Sequence, residues 1–146
     1  MKAAEGKMGR VFVLRLEDGD SVPDCIEKFA AEKSIACGHA VLIGGIGGGS
    51  VVSGPRKTDE MPPDPIYLPV EGAHEVVGAG IIAPDKDGKP VLHIHAALGR
   101  AGKTLTGCLR PDVTTWLVGE AIIYEITGAS ARRLPDDSSG FDLMEV

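Results

Sequence analysis

His93 and His95 are separated by a single residue, and Cys108 follows after a short glycine-containing connection. Imidazole nitrogens and a thiolate are the donors that zinc and other borderline-soft divalent metals accept. Residues i and i+2 of one strand have Cα atoms roughly 6.6 Å apart. Both rings can therefore lean onto one cation at about 2.0–2.1 Å. Three protein ligands leave a coordination position open for water or a small molecule, unlike a closed structural site. The alternative is that both histidines are half-buried strand residues hydrogen-bonded to neighbours.

The elements that must position these groups are two alternating segments. In Pro90 to Leu98, Leu92, Ile94, Ala96 and Leu98 fall on one face, with His93, His95 and Ala97 on the other. In Lys103 to Leu109, Leu105 and Leu109 oppose Thr104, Thr106 and Cys108. Period-2 alternation of this kind marks strands with one buried face. Gly99-Arg100-Ala101-Gly102 reads as the hairpin connection. Centring the turn on Arg100-Ala101 sets His95 opposite Thr106 and His93 opposite Cys108. This register gathers the leucines on one face and the two histidines and the cysteine on the other. A one-residue slip would put Leu105 and Leu109 beside the histidines.

The 146 residues fit one domain with a sizeable core. Residues 1–9 read as a flexible leader and 10–146 as the domain. No apolar run approaches the roughly 20 residues of a membrane span, and residues 1–7 lack the hydrophobic segment of a signal peptide. Cys25, Cys37 and Cys108 are too few and scattered for a disulfide framework, which points to reduced thiols in a cytoplasm. A net charge of -6 with dispersed basic pairs supplies no concentrated cationic face. This argues against nucleic-acid binding by the chain alone.

Along the chain, Arg10 to Leu16 reads as a strand, followed by a helix from Val22 to Ser34 with Ser21 as N-cap and Pro23 in the first turn. Cys25 lies on the apolar helix stripe. A strand over 36–43 runs into Gly44-Gly45-Ile46-Gly47-Gly48-Gly49, whose spacing misses the dinucleotide-binding pattern. These glycines suit a bend, a bulge or a close backbone approach, with the metal pocket one place for it. Cys37 and His39 are also spaced i, i+2, but without an identifiable third ligand. A polar, proline-rich loop covers 56–65, and Pro69 confines the strand over 66–70 to an edge or a strand end. His74, at the start of the strand over 74–83, reads as a surface histidine. Glu120 interrupts the apolar strand over 117–126. Either an arginine such as Arg15 pairs with it, or it serves the pocket as a proton carrier. The segment over 137–143 reads as a turn and a short docking piece.

In order, Leu14-Arg15-Leu16, Ile43-Gly44-Gly45-Ile46-Gly47, His93-Ile94-His95, Gly107-Cys108-Leu109, Glu120 and Ser139-Gly140-Phe141 resemble the plants and prokaryotes conserved (PPC) domain in its stand-alone prokaryotic form. The resemblance implies an α+β fold, a largely antiparallel mixed sheet flanked by a helix, and a homotrimer. It also implies a zinc site in which a third histidine usually stands where this chain has Cys108. The fold so implied is similar to that of acetolactate decarboxylase, a metal-dependent enzyme. Plant members bind DNA through a separate basic segment that this sequence lacks. The expectation is a cytoplasmic trimer holding a zinc-like metal on His93, His95 and Cys108 and binding a small carboxylate or carbonyl ligand. Glu120 is the candidate acid or base for any turnover. The alternative is a DNA- or transcription-associated scaffold without a working metal site.

Overall fold

The computed structural model describes residues 1–146. In chain order the elements are β1 (Lys7–Glu17), α1 (Val22–Glu32), β2 (Cys37–Gly48), β3 (Ser50–Pro55), β4 (Pro65–Pro69), β5 (His74–Pro84), β6 (Pro90–Arg100), β7 (Lys103–Leu109), β8 (Thr114–Thr127), β9 (Arg132–Asp136) and β10 (Phe141–Glu145). Eight strands form one sheet in the order β1-β8-β2-β5-β6-β7-β3-β4, and β9 pairs with β10 separately. Every neighbouring pair is antiparallel, so the mixed character expected of the sheet is not found. β1 begins at Lys7, inside the stretch read as a leader. β4 lies at the sheet edge, where the missing N–H of Pro69 does no harm.

One face of the sheet is dry. Twenty buried residues form a contiguous core that draws on Leu16 of β1, Ile94 and Leu98 of β6, and Val51 of β3. Strands along the whole sheet contribute to that core, and α1 packs on the same face. Helix α1 inserts Val22, Ile26 and Ala30 into it. Phe29 packs edge-on against Phe12 with ring centroids 5.2 Å apart. The helix ends at Glu32, because Ser34 takes a positive φ of 54°. Ser21 occupies the N-cap position without capping; its hydroxyl donates instead to the Pro111 carbonyl at 2.8 Å. Cys25 lies at the edge of the core, its thiol donating to Val22 O. Burial, then Asp20, pushes that thiol up to about 11, which suits a packing role. No helix is long and apolar enough to cross a membrane.

The glycine run extends β2 rather than ending it. An added Cβ at Gly45 would lie 2.4 Å from Trp116 O, and one at Gly44, with φ 125°, 2.5 Å from Val118 O. The β2–β8 ladder shifts register at these residues. The close approach is therefore to β8 and not to the strands that carry His93, His95 and Cys108.

The Arg10–Glu125 pair ties β1 to β8. Arg10 donates to Glu125 through Nε at 2.8 Å, through Nη2 at 2.7 Å and through its backbone N–H at 3.0 Å. These bonds hold the Glu125 carboxyl down at about 2. A depressed carboxyl contributes stability above its ordinary pKa and loses it as pH falls toward the folded value. Glu125→Gln should therefore flatten the acid limb of stability between about pH 4.5 and 2, read from melting temperature against pH.

Candidate metal centre

The hairpin that carries the donors closes on Ala101 and Gly102, with φ of 49° and 75°. Positive φ at both tip residues is the type I′ turn favoured by two-residue hairpins. The flanking pair is Arg100–Lys103, and His95 stands directly opposite Cys108. This differs from the expected His93–Cys108 pairing by two residues. Because side chains alternate with period 2, a two-residue shift leaves each on its expected face. The β6–β7 ladder stops at His95–Cys108, so His93 extends beyond it. The backbone N–H of Leu92 donates to Glu27 Oε1 of α1 at 2.8 Å, which anchors β6 on the side that β7 no longer covers, while β5 stays paired along its other edge.

His93 and His95 Nε2 are 3.1 Å apart, with their rings nearly perpendicular at 75°. The ligand atoms of His93, His95 and Cys108 all lie within 4.8 Å of one another. Tetrahedral bonds of about 2.0–2.1 Å to nitrogen and 2.3 Å to sulfur require ligand atoms roughly 3.3–3.8 Å apart. The donors fit a metal after small side-chain rotations. Partial desolvation by the side chains around it, then Arg133, His95 and Arg110, holds the His93 pKa below its usual value, which favours the neutral ring that offers a lone pair. Burial pushes the Cys108 thiol up, while Arg110 and Arg133 pull it down. Binding a metal there displaces the thiol proton.

Other predicted residues lie elsewhere. Glu120 is exposed on β8, opposite Arg15 of β1 and Ile43 of β2. Through Val77 and Ala97 that row reaches β6 only after three strand spacings, roughly 14 Å. Within one chain Glu120 does not meet the donors. Arg15 does not bind it either; its guanidinium donates to Glu17 at 2.6 Å. Alternation set Glu120 among apolar neighbours, but on a face that this chain leaves uncovered. Cys37 and His39 share the outer face without joining the cluster. The Cys37 thiol donates to Ala131 O at 3.5 Å. His39 Nδ1 is 3.0 Å from Gly80 O, and its ring stacks on Tyr124. His74 is buried rather than superficial, with Nδ1 2.9 Å from Gly72 O.

Sequence reading missed two arginines. Arg110 follows β7 two residues after Cys108, and Arg133 comes from the β9–β10 hairpin. Arg133 Nη2 reaches Ile81 O at 3.5 Å, and Ile81 is the direct β5 partner of His93. Parity held one signal, since Arg110 continues the Thr106, Cys108 alternation.

A family model described as the Plants and Prokaryotes Conserved (PCC) domain matches residues 3–127. No curated protein matches the chain. Among solved structures, a metal-containing protein from Archaeoglobus fulgidus is 26% identical, with a TM-score of 0.86 and 100% of each chain covered. A plant- and prokaryote-conserved protein from Pyrococcus horikoshii is 20% identical, with a TM-score of 0.82 and the same coverage. A Bacteroides thetaiotaomicron protein, provisionally named DNA-binding, is 19% identical, with a TM-score of 0.80; the match covers 97% of this chain and 96% of that one. With its eight-stranded antiparallel sheet, its single helix and 125 residues matched (3 to 127 inclusive), this chain belongs to the plants and prokaryotes conserved domain family.

Proposed function

We propose that the protein holds a divalent metal, zinc by its donor chemistry, on His93, His95 and Cys108, and binds a small carboxylate or carbonyl compound beside it. The observation that carries this reading is the convergence of three ligand atoms within 4.8 Å. The metal content of the 26%-identical archaeal relative agrees with it. A bound cation with an open position supplies Lewis acidity to a ligand oxygen. The chain's own part is to present neutral His93 and the Cys108 sulfur from a rigid hairpin. Glu120, the candidate acid or base, lies three strand spacings from the donors within one chain. Protein refilled with zinc and dialysed should retain about one zinc per chain by elemental analysis. Zinc content no higher than that of His93→Ala would remove the centre.

The assembly we propose is a homotrimer in a reducing, cytoplasmic setting. Its support, beyond the family resemblance, is an apolar outer face that one chain leaves uncovered. Val13 is 79%, Val77 59% and Val11 51% exposed. Exposed apolar surface of this kind is stabilised by association. Val13→Asp should convert trimers to monomers in light scattering, and a monomeric wild type would contradict the assembly.

The name of the Bacteroides thetaiotaomicron relative favours a second reading, a DNA-associated scaffold. With a net charge of -6, the chain offers little phosphate neutralisation. A duplex gel shift that weakens with salt would support this reading, and no shift at low salt would end it.

A further inference from the structure

Two guanidinium groups beside the three donors lack counter-ions. Arg133 is only 7% exposed, and its Nε is buried with no hydrogen-bond partner. Its one hydrogen bond, to Ile81 O, is long at 3.5 Å. Arg110 Nε is likewise buried and unpartnered. Neither guanidinium belongs to any of the six ion pairs. Asp142 is near enough to Arg133 to act on it electrostatically without bonding to it. A buried charge without a partner is costly, and an arginine cannot escape by losing its proton.

Their placement gives the two charges a common target. Arg133 reaches the sheet at Ile81, directly beside His93, and Arg110 leaves β7 just past Cys108. Both act on His93 and Cys108 through space. The β9–β10 hairpin delivers Arg133 across the outer face. At its base, Ala131 O accepts from Cys37 of β2. At its tip, an added Cβ on Gly140 would lie 2.9 Å from Pro62, in the loop before β4. This hairpin begins after residue 127, where the family match ends.

We propose that Arg110 and Arg133 form an anion seat next to the His93, His95 and Cys108 donors, taking the carboxylate of a small organic acid. Each guanidinium presents a planar fork of donors matched to two carboxylate oxygens. The seat deepens the proposed ligand site and rests on that reading for its neighbouring cation, but its charge does not require the metal. It can therefore be tested alone.

The test uses the whole protein, stripped of metal by chelation and observed by nitrogen-15 NMR of the arginine Nε–Hε groups, with calorimetry in parallel. Malonate is the carboxylate probe, inorganic phosphate the second oxyanion, and chloride at equal ionic strength the control. Malonate should move two Nε–Hε resonances downfield and release heat. Arg133→Gln and Arg110→Gln should each weaken its binding at least about tenfold, the scale of one lost charge-assisted fork. Both variants should still fold cooperatively and take up zinc, with the melting temperature of Arg133→Gln at or above the wild-type value because it removes an unpaired buried charge. Tighter binding of phosphate than malonate would overturn the carboxylate assignment. Unmoved Nε–Hε resonances with either anion would overturn the seat, as would equal binding by wild type and both variants. His93→Ala should lose zinc yet still bind malonate, which separates failure of the seat from failure of the metal centre.

Discussion

His93→Ala is expected to weaken zinc binding by about a hundredfold to a thousandfold while leaving the fold intact. A fully formed zinc site is worth about 10–16 kcal/mol, so one of four ligands carries roughly 2.5–4 kcal/mol. His93 lies past the end of the β6–β7 ladder and is exposed, so its truncation opens no core cavity. Cys108→Ala should cost about as much affinity and also change the bound metal's character, since sulfur is the only soft donor. Competition titration against a chromophoric chelator measures both. Wild-type affinity in either variant would mean that the metal, if bound, sits elsewhere.

Gly107→Ala is expected to damage stability and the centre together. An added Cβ would lie 2.3 Å from Val52 O and 2.8 Å from its carbonyl carbon, both backbone atoms of β3. No side-chain rotation relieves such a contact, so β7 must move from β3. Overpacking of this kind costs about 1–3 kcal/mol and sometimes more. The displaced strand carries Cys108 at the next position, so zinc affinity should fall as well. Denaturant unfolding and the chelator titration read the two effects separately. Wild-type values in both would show that the β3–β7 contact is not tight.

The shared face of His93, His95 and Cys108 was legible in the sequence because parity is robust. The β6–β7 register lies two residues from the expected one, yet His93, His95 and Cys108 still share a face. What misled was the turn. Gly102 accepts positive φ freely and belongs at the tip, whereas the expected turn left it flanking. The helix and most strands were readable from apolar spacing, but their ends were not. Ser21 has an N-cap side chain that bonds across to Pro111 instead. His74 looked superficial because nothing in the sequence reveals that Gly72 O satisfies its ring locally. Glu120 looked functional because alternation cannot tell a buried face from an apolar face awaiting a partner. Arg133 was hidden by the shortness of β9, five residues that include Pro135.

One hairpin, β6–β7, carries all three of the clustered side chains, and the rest of the molecule holds that hairpin in place. The sheet and α1 fix β6 from its dry face, with Glu27 taking the N–H of Leu92 where the β6–β7 ladder has ended. The outer face then presents nitrogen and sulfur toward space that two arginines border.

X-ray absorption at the zinc edge of zinc-loaded wild-type protein addresses the centre most directly. The expected first shell contains two imidazole nitrogens at about 2.0–2.1 Å, one sulfur at about 2.3 Å and one further light atom. A shell of nitrogen and oxygen with no sulfur, unchanged in Cys108→Ala, would contradict it.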